Sequence, residues 1–145
     1  MRLFRLSFAV ALGALFVAAP ASAQVYVQQV TRQLDAARAT LRSEGYSRVR
    51  AYTTANMDAG EERTFTFSLQ RNRDYVISGA CDNDCTDIDF WLTDNNGNDI
   101  DSDVAADDVP VVRVTPARNG TFQLKVRMHS CSADPCYYGF GIFRQ

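Results

Sequence analysis

The residues most able to do chemistry in this chain form an acidic block between Gly79 and Pro110. Ten of the 17 acidic residues are aspartates of this block, and no Lys or Arg occurs between Arg73 and Arg113. Carboxylate oxygens are the ligands that calcium prefers, but turns and caps use the same oxygens as hydrogen-bond acceptors. Two interpretations of the block are therefore possible: a calcium site, or a solvated loop whose aspartates cap turns. The candidate calcium ligands are Asp87, Asp89, Asp101, Asp103, Asp107 and Asp108.

Trp91 is the second candidate, because it is the only tryptophan and stands in an alternating segment of the same block. Ile88, Phe90 and Leu92 predict the buried face of a strand, so Asp89 and Trp91 share the opposite face. An outward tryptophan beside a carboxylate could stack on a sugar or a peptide, which makes Asp89 and Trp91 candidate ligand-binding residues. The competing interpretation is that a helix at the amino end covers the ring.

Catalysis is not indicated by the motifs. The only histidine, His129, is predicted at a strand end, and no Gly-x-Ser-x-Gly sequence is present. A pair of carboxylates such as Asp87 and Asp89 can act on glycosides, but that role needs a raised pKa that no sequence feature indicates. We therefore predict that the protein is not an enzyme.

Residues 1–23 predict a secretory signal peptide. Arg2 and Arg5 precede a short apolar run, and Ala21-Ser22-Ala23 fits the small-residue cleavage pattern. The apolar run is shorter than the roughly 20 residues of a transmembrane helix. We expect cleavage before Gln24, no membrane span after cleavage, and a periplasmic or secreted location.

Export determines how the four cysteines are interpreted. In an oxidising compartment they are expected to form two disulfides. Cysteines that are close in sequence meet easily, which favours the pairs Cys81–Cys85 and Cys131–Cys136. Disulfides that close longer loops would stabilise the folded state more. A zinc site made by all four cysteines is the alternative.

The segment 24–45 predicts one amino-terminal helix, with Gly45 as its stop. Apolar residues recur there at steps of three and four, namely Val27, Val30, Leu34, Ala37 and Leu41. This apolar stripe is expected to pack on the helix's own domain. A seam with a partner chain is the other interpretation, although about two heptads are too few for a coiled coil alone.

From Tyr46 onward, apolar and polar residues alternate, as in strands with one buried face. Asn95-Asn96-Gly97 and Asn119-Gly120 are turn signals between such strands. The pattern predicts an all-β fold, a jelly-roll-like antiparallel sandwich of seven or eight strands with one amino-terminal α-helix. The candidate strands are 48–57, 64–69, 74–80, 87–93, 99–102, 111–115, 121–128 and 137–143.

Four motifs occur in a fixed order in the segment 46–145: Gly60-Glu61-Glu62 before a Phe-Thr-Phe-Ser-Leu strand, Asp87–Leu92, Asp94–Asn98 and Thr115–Phe122. In this order and spacing they resemble the bacterial pre-peptidase C-terminal domain. The resemblance implies a small β-sandwich over 46–145, of the kind appended to secreted proteases. Its relatives include calcium-binding, collagen-binding domains of collagenases, whose calcium ligands precede the first strands, where this chain has a helix.

These observations predict an exported, non-catalytic binding or accessory module of the cell envelope. The expected ligand is an extracellular polysaccharide or protein, with calcium as the one candidate cofactor. The net charge of −2, without a basic patch, argues against nucleic acid. The alternatives are a structural or secretion-assisting domain without a ligand, or an inhibitor or pro-domain partner of a secreted protease. The sequence does not determine the ligand's identity or the oligomeric state.

Overall fold

A computed structural model describes residues 21–145 of the chain. In this part, one helix, α1 (Ala21–Ser43), precedes nine strands. The strands are β1 (Ser47–Arg48), β2 (Thr53–Met57), β3 (Glu62–Leu69), β4 (Tyr75–Cys81), β5 (Cys85–Asp94), β6 (Asp99–Asp103), β7 (Val111–Val114), β8 (Gly120–Cys131) and β9 (Cys136–Arg144). Residues 1–20, most of the predicted signal peptide, lie outside the described residues.

The strands form two antiparallel sheets that pack face to face, which confirms the predicted sandwich with one helix. The five-stranded sheet has the order β1-β9-β4-β7, with β2 also paired to β9, and the four-stranded sheet has the order β3-β8-β5-β6. From β2 onward, consecutive strands lie in opposite sheets except for β5 and β6, which gives the jelly-roll arrangement.

The described residues contain one strand more than the sequence predicts, because the expected strand 48–57 is interrupted. Arg48 pairs with Phe143 and Thr53 pairs with Phe140, so four residues of one chain segment oppose only two of β9. The excess residues cannot follow the ladder and bulge away from β9. The segment therefore forms β1 and β2, both paired with β9.

The core between the sheets is built by the predicted alternation. Phe140 lies at its centre, with its ring centroid 5.0 Å from that of Phe65 and 6.3 Å from that of Phe90, both in edge-to-face geometry. Because alternate residues of the four-stranded sheet fill the core, the residues between them form its outer side. The buried inward residues of β3, β5 and β8 are Phe67, Leu69, Ile88, Phe90, Leu92, Phe122, Leu124, Val126 and Met128.

Helix α1 covers the outer side of the five-stranded sheet. Leu34 is fully buried in a cluster with Ala80 of β4, and Leu41 is buried in a second cluster with Val76. The predicted packing of the helix on its own domain is therefore confirmed. It also explains why every residue of β4 is buried, since α1 covers one side of this strand and the core covers the other. No helix among residues 21–145 is long and apolar enough to cross a membrane.

Gly139 of β9 allows this close approach of the helix. A Cβ atom at this position would lie 2.8 Å from the Thr53 carbonyl oxygen and 3.0 Å from a methyl carbon of Val30. Polar contacts then fix the helix: Gln33 Nε2 donates to the carbonyl of Cys81 over 2.7 Å. The amino-terminal helix is thus an integral layer of the domain.

All four cysteines lie at one end of the sandwich. The Cys81–Cys85 disulfide closes the β4–β5 turn and the Cys131–Cys136 disulfide closes the β8–β9 turn, as predicted. The alternative of a four-cysteine zinc site is therefore wrong. Cys85 and Cys131 are direct partners in the β5–β8 register, so the two turns are neighbours.

Asp82 ties these two turns together. Its carboxylate accepts hydrogen bonds from the backbone N–H of Tyr137, at 2.7 Å, and from that of Asp84, at 3.2 Å. The residue is only 1 % exposed. Burial raises the pKa of the Asp82 carboxyl, although the hydrogen bonds from the backbone favour the charged form.

Candidate functional site

Two of the six predicted calcium ligands close one side of the sandwich instead. Asp101 and Asp103 occupy inward positions of β6, opposite Leu92 and Phe90 in the register. Asp103 Oδ2 accepts a hydrogen bond from the Val111 N–H at 2.8 Å, and Asp101 Oδ2 accepts one from the Arg113 N–H at 2.7 Å. These carboxylates therefore satisfy backbone donors of β7, the edge strand of the other sheet.

The loop between β6 and β7 contacts β5 through a backbone hydrogen bond and not through its carboxylates. The Asp107 carbonyl accepts a hydrogen bond from the Ile88 N–H at 3.1 Å, while Asp107 Oδ1 accepts one from the Val109 N–H at 2.9 Å. Asp108 lies in the same loop. Asp107 therefore caps its own turn, which is the common role of aspartate in loops.

The six candidate calcium ligands do not come together at one point in the structure. Within residues 21–145, no group of three or more His, Cys, Asp or Glu side chains has an arrangement that could hold a metal ion. The physical reason is that these carboxylates lie on opposite sides of one sheet. Asp101 and Asp103 occupy inward positions of β6 and bind N–H groups of β7. Asp89 lies on the outer side of β5.

The outer side of the four-stranded sheet carries cross-strand rows of polar side chains. In the register of β3, β8 and β5, one row holds Glu62, Arg127 and Asp89, and the next row includes Lys125 and Trp91. Charges alternate in sign along the first row, which stabilises cross-strand pairs. We call this surface the Trp91 face. Its members are Glu62, Thr64, Thr66, Asp87, Asp89, Trp91, Thr93, Ser102, Gln123, Lys125, Arg127 and His129.

His129 lies between two carboxylates on this face. Its Nε2 atom is 3.9 Å from Asp87 Oδ2, and its Nδ1 atom is 3.7 Å from Asp89 Oδ2. The imidazole is more than half exposed, whereas the side chain of Asp89 is only 8 % exposed. The structure therefore brings the lone histidine together with two of the predicted site residues.

Several polar groups of this cluster lack partners in the described part of the chain. Asp87 Oδ1 and Arg127 Nε are both buried there without a hydrogen-bond partner. Burial, and then the neighbouring Asp87 charge, raise the pKa of the Asp89 carboxyl, while His129 and Arg127 act in the opposite direction. A buried acceptor left unpaired costs about 1–3 kcal/mol, so the cluster is poised to gain from a ligand that supplies hydrogen bonds.

Trp91 stands beside this cluster, half-buried, with an ammonium group over its ring. Lys125 Nζ is 4.4 Å from the ring centroid and 3.9 Å from Glu62 Oε2. Both charged side chains are more than 40 % exposed. A cation–π contact at such a site contributes about 0.5–1 kcal/mol, so a ligand could displace Lys125 at small cost.

The interpretation that the amino-terminal helix covers Trp91 is wrong. Helix α1 packs on β4 and β9, both in the five-stranded sheet, whereas Trp91 belongs to the outer side of the other sheet. The sandwich core separates the two. The ring is instead flanked by neighbours within its own sheet, and the Trp91 face remains open.

Sequence reasoning missed His129, Arg127 and Lys125 as members of this site. All three are on β8, whose pairing with β5 joins residues about forty positions apart. The alternation of Phe122, Leu124 and Val126 does place the three residues on the outward side of their strand. It does not indicate which strand lies next to it.

Comparison with protein-family models finds no model that matches this chain. Comparison with curated proteins finds no match either. The resemblance of residues 46–145 to the pre-peptidase C-terminal domain therefore stays a prediction from the motifs.

Proposed function

We propose that this protein is an exported, non-catalytic binding module of the cell envelope, and that the Trp91 face holds its ligand. The observation that carries the proposal is the open Trp91 ring on the same face as Asp87 Oδ1 and Arg127 Nε, which are both buried without a hydrogen-bond partner in the described chain. Burying a carboxylate oxygen without a hydrogen-bond partner costs free energy, and a face that only contacts solvent gains nothing in return.

The unpaired groups favour a polyhydroxylated ligand. The carboxylates of Asp87 and Asp89 can only accept hydrogen bonds when ionised, whereas Arg127 Nε can only donate. A hydroxyl group does both, so neighbouring hydroxyls of a sugar can serve acceptor and donor together. The apolar side of the sugar ring then packs on Trp91. An extracellular polysaccharide is thus the ligand class we propose.

The pre-peptidase C-terminal resemblance and the export signal complete this proposal. The resemblance implies a small β-sandwich over residues 46–145, and the two sheets of the structure are compatible with it. Two short-range disulfides are typical of proteins that mature in an oxidising compartment. These features support an exported domain of this type whose binding surface differs from the collagenase calcium region.

Trp91 provides its own assay, because it is the only tryptophan of the chain. The purified chain, starting at Gln24, is titrated with soluble neutral and acidic polysaccharides while the fluorescence of Trp91 and its quenching by iodide are recorded. We expect at least one polysaccharide to shift the emission and to protect the ring from iodide in a saturable manner. Trp91→Phe combined with calorimetry then checks binding without the reporter.

The controls compare substitutions on one surface. Asp89→Asn should weaken binding by about tenfold or more, the loss expected for charge-assisted hydrogen bonds. Ser68→Ala, an exposed residue farther along β3 and outside the Trp91 face, should leave the dissociation constant unchanged. Binding that survives Asp89→Asn, or a panel in which no polysaccharide protects Trp91, would remove the support for this face as a glycan site.

A further inference from the structure

Strand β3 leaves one edge of the four-stranded sheet without a partner in residues 21–145. It pairs with β8 over eight residues and with no other strand of this part of the chain. The register of these eight pairs is continuous, without a bulge. An exposed edge of this length is a template for another strand, and natural proteins usually block it.

The other three sheet edges of the described residues carry such blocks. Strand β7 has two backbone N–H groups bound by Asp101 and Asp103. Strand β6 is five residues long, contains three aspartates and pairs with β5 through a register shift. The remaining edge is divided between the short strands β1 and β2. Strand β3 differs, since it contains no proline or glycine and its only charged residues, Glu62 and Arg63, occupy its first two positions.

The free backbone groups of β3 belong to alternate residues. The Met128 N–H of β8 donates to the Glu61 carbonyl at 3.0 Å, so the backbone of residue 61 faces β8. Backbone groups of successive strand residues point to opposite sides, so every second residue from position 62 onward faces away from β8. These four exposed residues are Glu62, Thr64, Thr66 and Ser68. Their N–H groups have no hydrogen-bond partner elsewhere in residues 21–145.

One register lets two copies of β3 pair with each other completely. In an antiparallel pair about a two-fold axis at Phe65, this residue faces its own counterpart in the second copy. Thr64 of each copy then faces Thr66 of the other, and Glu62 faces Ser68. Each free residue of one copy therefore meets a free residue of the other, and the partly buried Phe65 rings come together as a cross-strand aromatic pair.

Neighbouring registers pair less well. An axis one residue after Phe65 brings in Gln70, whose N–H is already bound by the Tyr75 hydroxyl at 3.1 Å. An axis one residue earlier brings in Gly60, whose N–H is already bound by the Met128 carbonyl at 2.7 Å. The register at Phe65 is therefore the one that matches the free donors and acceptors of both copies.

The charges of β3 are compatible with this register. Glu62 faces Ser68 and Arg63 faces Phe67, so no two like charges stand directly opposite each other. The Arg50 guanidinium lies 5.8 Å from the centroid of the Phe67 ring. Arg63 of the second copy approaches this guanidinium, so salt that screens their repulsion should strengthen the pairing.

We propose that β3 is a dimer interface, and that two copies of this chain pair their β3 strands antiparallel about an axis at Phe65. Main-chain hydrogen bonds then join the two four-stranded sheets into one sheet of eight strands, as in other cases of strand addition to a sheet edge. The occupant of the free edge is a second copy of this chain.

The dimer has a consequence that rests on the proposed polysaccharide function. The two-fold axis is perpendicular to the joined sheet, so both Trp91 faces lie on the same side of it. The two Trp91 residues are five strand spacings apart, roughly 24 Å. A long polysaccharide can contact both faces at once, and should bind more tightly than a short one of the same sugar.

The test measures self-association of the chain from Gln24 to Gln145 by analytical ultracentrifugation up to millimolar concentration. We expect a monomer–dimer equilibrium that Thr66→Pro weakens by about tenfold or more, because proline removes a free N–H from the new ladder. Proline is tolerated in an edge strand where the N–H faces solvent, and circular dichroism checks that the variant is folded.

Charge variants test the register without proline. Thr64→Lys with Thr66→Lys places lysines opposite each other, and should weaken the dimer by about tenfold or more. Thr64→Lys with Thr66→Asp places each new lysine opposite a new aspartate, and should restore the dimer. Ser102→Lys with Asn96→Lys adds the same charge at the far edge of the sheet as the double-lysine variant, and should leave association unchanged.

Three results would overturn the proposal. The first is a chain that stays monomeric at millimolar concentration, and the second is a dimer that neither Thr66→Pro nor the double-lysine variant weakens. The third is equal weakening by the double-lysine and the lysine–aspartate variants, which would exclude the register at Phe65. None of these measurements contains a polysaccharide, so the dimer and the polysaccharide proposal are tested separately.

Discussion

Replacing Asp103 with alanine should loosen the β6–β7 side of the sandwich at a cost of about 2 kcal/mol in the free energy of unfolding. Its carboxylate accepts a partly buried hydrogen bond from the Val111 N–H at 2.8 Å, which joins the edge strands of the two sheets. Alanine leaves that donor unpaired in a partly buried position. Asp101→Ala should cost less, about 1 kcal/mol, because the Arg113 N–H that it binds is exposed and can turn to water.

The measurement is urea denaturation followed by circular dichroism, with thermal melting as a second readout. For a domain of this size, 1 kcal/mol corresponds to about 4 °C in Tm, so Asp103→Ala should melt about 8 °C lower. Asp99→Ala is the matched control, an exposed aspartate of the same strand, and should stay within about 0.5 kcal/mol. Asp103→Asn keeps one acceptor oxygen and should fall between the control and the alanine variant.

The same variants decide between the edge-closing role and a calcium site. If Asp101 and Asp103 serve only β7, millimolar calcium should shift the Tm no more than magnesium does at matched ionic strength. A calcium-specific rise in Tm that Asp101→Asn with Asp103→Asn removes would refute the reasoning. A cost for Asp103→Ala no larger than that for Asp99→Ala would refute it as well.

Three further predictions concern the core, the helix and a disulfide. The Tyr138 hydroxyl is buried without a partner in residues 21–145, and burial raises the pKa of its phenol to about 12. Tyr138→Phe should therefore stabilise the fold by about 1 kcal/mol in urea denaturation, and a loss of that size would contradict this. Leu34→Asp should cost about 4 kcal/mol by the same assay, while the exposed Arg38→Asp should not, and equal values would disprove helix docking. Serine at Cys131 and Cys136 should cost about 2 kcal/mol, the entropy of closing a short loop, and an unchanged Tm would contradict it.

The alternation of apolar and polar residues was enough to predict the strands and their buried faces, because side chains of a single strand point alternately to its two sides. The inward positions of Phe90, Leu124 and Val126 follow from their own segments, whatever those segments pair with. The apolar stripe of α1 predicted a packed helix in the same way. It could not indicate which sheet the helix covers. Whether the helix covers Trp91 could therefore be decided only from the arrangement of the two sheets.

The candidate site depends on pairing between strands far apart in the chain, which local patterns do not contain. His129 meets Asp87 and Asp89 only because β8 lies next to β5 in the jelly roll. The role of Asp101 and Asp103 likewise depends on the fact that β6 and β7 are edge strands of different sheets. Their inward positions on β6 would indicate core residues, and carboxylates are accepted there because the edge strand β7 offers unpaired N–H groups.

Asp82 is the residue for which two physical effects compete most directly. Burial favours the neutral carboxyl, and the hydrogen bonds from the N–H groups of Tyr137 and Asp84 favour the carboxylate. Burial is the larger effect, so the pKa of Asp82 is raised in the folded protein. The folded state then keeps this proton at pH values where the unfolded chain, with a pKa of about 3.9, has already lost it.

Unfolding therefore releases a proton in this window, and the contribution of Asp82 to stability falls as pH rises from about 4 through its raised pKa. We expect the wild-type protein to lose stability relative to Asp82→Asn as the pH rises from about 4 through the raised pKa of Asp82, measured by urea denaturation at several pH values. The raised pKa of Asp89 is present in both proteins and cancels in the difference. If the wild type instead gains stability relative to Asp82→Asn as pH rises, the hydrogen bonds from Tyr137 and Asp84 outweigh burial. Asp82 would then be a charged clamp between the two disulfide turns.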